Sequence, residues 1–260
     1  MNRYKNIQVE LEENVFTLTL NRPQKRNAID EATMDELLDA LKAFGIRKDI
    51  SLAVLRGAGT DFCAGADLDW MRSTQGMTIE QLASQNMKLQ KVFNLWFDLP
   101  AFTIAVIQGN IVGGGLGLVA SSDLVVAQPG SMFRFSEVTL GLMPATIAPF
   151  VLQRTQSRFI RNAMLTALPF AADEALQHGL IDIVADKTLE KDVLERYTKA
   201  LNKTAREAVS KTKKLSNDLI FNRIKEPMDE YTANLLAEVR KSEGAEKRIA
   251  AFFKSLEKKA

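Results

Sequence analysis

Gly113, Gly114 and Gly115 follow an apolar run from Phe102 to Ile107 and precede Leu116, Leu118 and Val119 with the small Ala120, Ser121 and Ser122. That order reads as a buried strand, a tight turn and a short helix, with glycines at the helix's first turn. Main-chain N–H groups without helical partners gather there, the absence of a side chain lets a ligand oxygen come close, and the helix dipole adds positive potential. A phosphate loop would need Lys and Ser/Thr after its glycines, but Gly117 is followed by Leu118 and Val119. A dinucleotide fingerprint would need a third glycine where Leu118 stands. It stays as a lesser alternative, with Glu137 near the distance of a ribose-binding acid. The better fit is an oxyanion that develops during a reaction and meets preorganised N–H donors.

Two other stretches could take part. FCAGAD, Phe62 to Asp67, is a loop of small residues and a second candidate donor site. Phe133 to Met143 is apolar except for Arg134, Ser136, Glu137 and Thr139, so a carboxylate there is conspicuous. Its competing reading is structural, a carboxylate paired with Arg134 or Arg154. Cys63 and His178 are each the sole residue of their type, which excludes an internal disulfide and a zinc cluster. Cys63 reads as packing, His178 as a helix-end residue before Gly179, and Trp70 and Met71 as either packing beneath the loop or pocket lining.

The elements that must position these residues follow from the hydrophobic pattern. Ile7 to Leu11 and Val15 to Leu20 alternate as a hairpin, Asp30 to Phe44 forms an amphipathic helix, and Leu52 to Leu55 is a strand. Strand, helix, strand implies a mainly parallel sheet. Thr78 to Leu99 is a long helix with one broad apolar face, and Leu124 to Ala127 is a further strand. Beyond Pro144 the chain reads as helical over Ala148 to Leu168, Ala171 to Gln177, Leu189 to Leu201, Ala205 to Leu215 and Glu226 to Leu256. The basic end, with Lys247, Arg248, Lys254, Lys258 and Lys259, reads as a solvated surface, and no internal repeat is visible. At 260 residues, 46% hydrophobic and a net charge of +2, the chain can bury a substantial core and offers no electrostatic case for nucleic acid or membrane. MNRYKNIQVELEE has no apolar signal core, which makes the cytoplasm the expected location.

LNRPQKRNA at Leu20 to Ala28, FCAGADL at Phe62 to Leu68, GGGLGL at Gly113 to Leu118 and FSEVTLGL at Phe135 to Leu142 resemble the enoyl-CoA hydratase/isomerase (crotonase) family in content, order and spacing. The resemblance implies an α/β fold, a spiral of repeated ββα units over residues 1–200 followed by a helical trimerisation region over 201–260. It implies a homotrimer or hexamer acting on an acyl-CoA thioester, with coenzyme A part of the substrate and no separate cofactor or metal. The oxyanion donors would be the N–H groups of Ala66 and Gly114, with Glu137 as acid and base. Arg26 matches a position facing the coenzyme's phosphates, and Ala64, Asp67 and Leu68 match a loop holding its adenine and pantetheine ends. Gly113 and Pro144 join them as substrate-binding residues from the matched segments.

One departure matters. Hydratases of the family commonly carry two glutamates, and the first would fall at Gly117. A single acid suits 3-enoyl to 2-enoyl isomerisation, in which one base moves a proton between two carbons. However, GLMPATIAPFV, Gly141 to Val151, and GADLDWM, Gly65 to Met71, resemble bacterial 3-methylglutaconyl-CoA hydratases, a branch that tends to carry glycine there. Hydration is therefore the first expectation, isomerisation the second, and an acyl-CoA-binding member without activity the third.

Overall fold

A computed structural model describes residues 3–257 of the chain. In order, the elements are β1 (Ile7–Glu12), β2 (Val15–Leu20), α1 (Glu31–Gly45), β3 (Leu52–Gly57), α2 (Leu68–Ser73), α3 (Ile79–Phe97), β4 (Phe102–Ile107), β5 (Asn110–Val112), α4 (Gly114–Ala120), β6 (Leu124–Ala127) and β7 (Met132–Arg134). They continue with α5 (Ala148–Thr155), α6 (Arg158–Thr166), β8 (Phe170–Ala171), α7 (Ala172–Gln177), β9 (Ile183–Val184), α8 (Lys187–Leu201), α9 (Arg206–Ile220), α10 (Met228–Arg240) and α11 (Glu243–Glu257).

The main sheet runs β1-β2-β3-β4-β6-β9, antiparallel only between β1 and β2. Its central strands are buried on both faces, as parallel strands covered by helices must be. Ala53, Leu55, Ala105, Ile107, Val125 and Ala127 join the larger core. The alternate residues Leu52, Val54, Ile104, Val106, Leu124 and Val126 pack instead on Val193 and Leu201 of α8. Sequence alternation thus decides which residues face the glycine-bearing loops and which face the C-terminal helices.

A second, smaller sheet orders β5-β7-β8, and it positions the site. After β4 and after β6 the chain makes a short strand in this sheet before entering helices. After β3 it makes only a bridge, Cys63 against Ile111, before α2. After β2 the counterpart is Ile29 against Ala66, before α1. The ββα repeat is therefore present in the backbone although no residue pattern repeats, because each turn reduces its second strand to a different length.

Two expected helices are broken, and a third buries less of its apolar face than its pattern predicts. The helix over Ala148 to Leu168 is broken where Gln156 turns left-handed at φ 45° and Ser157 is extended. Glu226 to Leu256 is broken between Arg240 and Glu243 into α10 and α11. In α3 only Val92, Phe93, Trp96 and Phe97 are buried, whereas Ile79 is 82% and Met87 65% exposed, so the apolar face enters the core only over its C-terminal turns. Lys258 and Lys259 lie outside the described residues. Among the described residues no helix is long and apolar enough to cross a membrane.

Candidate active site

The two glycine-bearing loops are stitched side by side. Cys63 donates its N–H to the Asn110 carbonyl at 3.2 Å and accepts from Val112 N at 2.9 Å, so the Phe62–Asp67 loop runs parallel to β5 up to the point where Gly113 turns. Small residues are required between them. A β-carbon at Gly115 would fall 2.8 Å from that of Cys63, and one at Gly65, whose φ is +90°, would fall 3.2 Å from the Val112 carbonyl oxygen.

The main-chain hydrogen bonds then single out two amides. Ile29 N donates to the Gly65 carbonyl (2.8 Å), and Asp67 N donates to the Ile29 carbonyl (2.9 Å), leaving Ala66 between them with its own N–H on the opposite edge. Gly113 spends its N–H on the Arg134 carbonyl at 3.1 Å and has none left for a ligand, whereas Gly114, the first residue of α4, keeps its own. Among the described residues, neither the Ala66 nor the Gly114 N–H meets an acceptor. Ala66 is exposed and Gly114 half-buried, so a ligand oxygen can reach them.

Glu137 is delivered to the same place by β7 and the tight turn Glu137–Leu140. A β-carbon at Gly113 would lie 3.4 Å from Glu137 Oε1 and 3.8 Å from Gly65 Cα, so both loops and the carboxylate converge there. Glu137 Oε2 is buried with no hydrogen-bond partner. Desolvation raises its pKa above the ordinary 4.5, outweighing the backbone N–H groups of Glu137 and Ser136. The structural alternative fails on geometry, since Arg134 donates to the Ala167 carbonyl and Arg154 pairs with Asp182. An unpaired, half-buried carboxylate beside two acceptor-free amides can hold or release a proton next to a stabilised oxyanion.

Gly117, one turn into α4, is not an open position. A β-carbon there would fall 2.6 Å from Phe93 Cζ and 2.7 Å from Ile147 Cγ2. The room a second acid would need is filled by an aromatic ring and a branched aliphatic chain.

The remaining expected residues sit at the rim. Ala64 N donates to the Arg26 carbonyl (2.9 Å), and Arg26 itself is exposed in a left-handed conformation at φ 49°. Leu68, at the start of α2, is 72% exposed. Asp67 turns inward: Oδ1 accepts from Asp69 N (2.9 Å) and Trp70 N (3.2 Å) to cap α2, and Oδ2 pairs with Arg22 at 3.0 Å. Burial opposes its ionisation, but those N–H donors and the guanidinium hold its pKa below the usual range. Its carboxylate shapes the loop. Pro144 is partly buried and accepts from Ala148 N, just ahead of α5, whose preceding residue Ile147 reaches Gly117.

Arg22 was not legible as a site residue. It binds Asp30 (2.8 Å), Asp67 and the Ala28 carbonyl, tying the start of α1 to the Ala66 loop. The only sequence signal was a basic residue and two acids far apart in the chain. A cleft of about 690 Å³ beneath α9 lies elsewhere. Its buried Lys213 is already held by Asp123 (2.6 Å) and the Ala101 carbonyl (3.1 Å), so it offers no comparable chemistry.

Comparison with known proteins fits this geometry. The family model for enoyl-CoA hydratase/isomerase matches residues 10–259. The chain belongs to that family. It is 31% identical over 196 residues to the bacillaene synthase dehydratase PksH of Bacillus subtilis, covering 74% of this chain and 73% of that protein. It is 34% identical over 189 residues to the 2,3-dehydroadipyl-CoA hydratase of Escherichia coli, covering 70% and 71% respectively. Among solved structures, an enoyl-CoA hydratase from Shewanella pealeana superposes with a TM-score of 0.90 at 31% identity, over 97% of this chain and 95% of the other. AtuE of Pseudomonas aeruginosa gives the same score and identity over 96% and 97%. The α/β spiral with its C-terminal helices is thus the fold of the enoyl-CoA hydratase/isomerase family, and the chain is an enzyme of that family.

Proposed function

We propose that the protein adds water to, or removes it from, the double bond of a 2-enoyl-CoA thioester. The thioester oxygen would lie between the N–H groups of Ala66 and Gly114, and Glu137 would move the proton. In the addition, Glu137 takes a proton from water as its oxygen bonds to C3. The electron pair moves to the thioester oxygen as an enolate, and Glu137 returns the proton to C2 as the carbonyl reforms. Elimination is the reverse, so one carboxyl serves both steps. Each oxyanion donor contributes about 3 kcal/mol of barrier reduction. The observation carrying this reading is the unpaired, desolvated Glu137 carboxylate beside Gly113 and Gly65. The relatives named as a dehydratase and a hydratase support it, because both words describe one bond change in opposite directions.

Arg26, exposed on the rim, suits the coenzyme's phosphates. The apolar residues exposed at Leu236, Phe252 and Phe253 on the last two helices support assembly as a homotrimer or hexamer. Glu137→Gln should abolish crotonyl-CoA hydration and leave thioester affinity within about threefold, since the amides are untouched. Unchanged turnover would remove Glu137 from the mechanism.

The filled position at Gly117 favours a second reading, isomerisation of a 3-enoyl thioester by the same carboxyl. Turnover in ¹⁸O-labelled water separates the two, since only the hydro-lyase incorporates solvent oxygen.

A further inference from the structure

Addition of water needs a group to hold the water while Glu137 removes its proton, and at Gly117 the rings and methyls of Phe93 and Ile147 leave no room for a second acid. Another polar group borders the catalytic carboxylate. A β-carbon at Gly113 would have Glu137 Oε1 at 3.4 Å and Ser136 Oγ at 3.8 Å, so both oxygens border one spot in front of the turn. Apart from the glycine's own chain neighbours no atom stands nearer than Oε1, which leaves that spot open. The local fold explains the pairing. Phe133 and Phe135 turn inward onto Phe170, and strand alternation puts Ser136 on the other side. The chain then leaves the extended conformation at Ser136, with φ −89° and ψ −10°, so the Glu137 side chain is rotated by about 100° instead of pointing the opposite way.

The Ser136 hydroxyl is unspent. It does not cap the turn it precedes, it makes no hydrogen bond among the described residues and, unlike Glu137 Oε2, it keeps surface open to solvent. Two other polar side chains of these loops are committed elsewhere: Thr139 donates to the Ser136 carbonyl at 2.6 Å, and Asp67 caps α2 and pairs with Arg22. A hydroxyl with a free lone pair can accept one O–H of a water whose other O–H is directed at a carboxylate.

We infer that the Ser136 hydroxyl holds the water that adds to the double bond. This rests on the thioester reading above. Ser136 Oγ accepts one O–H of the water, and Glu137 takes the proton of the other as the water oxygen bonds to C3. The π electron pair passes to the thioester oxygen, and the proton returns from Glu137 to C2. The hydrogen facing Ser136 stays on the new C3 hydroxyl, so Ser136 neither gains nor loses a proton. Proton exchange at C2 alone places no water at C3 and does not need Ser136.

The test measures two reactions of the wild type and Ser136→Ala: hydration of crotonyl-CoA, and exchange of a C2 hydrogen of butyryl-CoA for deuterium in D2O. The substitution keeps the main-chain N–H of Ser136 that bears on the Glu137 carboxyl. Hydration kcat should fall by about a hundredfold, while exchange stays within about threefold of the wild type. Undiminished hydration would overturn the assignment. So would an equal loss of both reactions, because Ser136 would then act by placing Glu137 and not by holding water. A wild-type enzyme that neither hydrates crotonyl-CoA nor exchanges butyryl-CoA would overturn the thioester reading itself.

Discussion

Gly113 and Glu137 are set so close that a single added carbon would touch: a β-carbon on Gly113 would lie 3.4 Å from Glu137 Oε1. Gly113 also has φ +50° and ψ −117°, a conformation that residues with side chains rarely adopt. The turn that leaves the Gly114 N–H without an acceptor thus also clears the space in front of the Glu137 carboxylate.

Gly113→Ala should therefore act on both at once. Strain at the turn should cost about 1–3 kcal/mol of stability, measurable by urea denaturation. A β-carbon in contact with Glu137 Oε1 together with a distorted Gly114 amide should lower kcat by about a hundredfold, more than KM changes. A variant with normal stability and kcat would break the link between this glycine and the carboxylate.

Gly117→Glu should not create a two-acid enzyme. Its side chain would have to displace Phe93 and Ile147, and overpacking of this kind costs about 1–3 kcal/mol before any buried charge is counted. A lower thermal midpoint with no gain in hydration rate is expected. A faster, equally stable variant would show that the position is open.

The pH profile follows from the raised Glu137 pKa. As a base in the addition, Glu137 must be ionised, so kcat/KM should fall on acidification through a limb lying above the ordinary 4.5. Stability moves the other way. The native state holds the proton more tightly than the unfolded chain between those two values, so rising pH across that window lowers stability. Glu137→Gln should accordingly be more stable than the wild type near neutrality and lack that pH dependence, as denaturant titrations at several pH values would show.

Arg22→Leu should leave Asp67 and Asp30 without their shared cation. Breaking a buried pair of this kind costs about 3–5 kcal/mol. Where the variant still folds, KM should rise more than kcat falls, because the loop carrying Ala66 loses its tie to α1. Equal KM would make the Arg22 contacts irrelevant to that loop.

Much of this site was legible in the residues because its chemistry is main-chain chemistry. Glycine clusters announce where a backbone is approached, so the Gly113–Gly115 turn and the FCAGAD loop could be nominated before any contact was known. An isolated carboxylate in the apolar Phe133–Met143 stretch was equally visible. What residue types and spacing did not supply was the choice between neighbouring amides, which came only with the family resemblance. That Gly113 spends its N–H on Arg134 depends on a strand pairing distant in sequence. The same holds for Gly117, whose meaning rests on Phe93 and Ile147 arriving from two other elements. The breaks at Gln156 and after Arg240 were hidden because hydrophobic spacing continues across them while the backbone does not. The exposed start of α3 shows the reverse case, an apolar face without a covering element in the single chain.

The central claim is that two amides and one carboxyl act on the same thioester, and it can be tested without a double bond or added water. Butyryl-CoA incubated with the enzyme in D2O should exchange a C2 hydrogen for deuterium, which mass spectrometry reads directly. The account predicts exchange by the wild type and none by Glu137→Gln at equal thioester occupancy. Exchange at an undiminished rate in Glu137→Gln would contradict it.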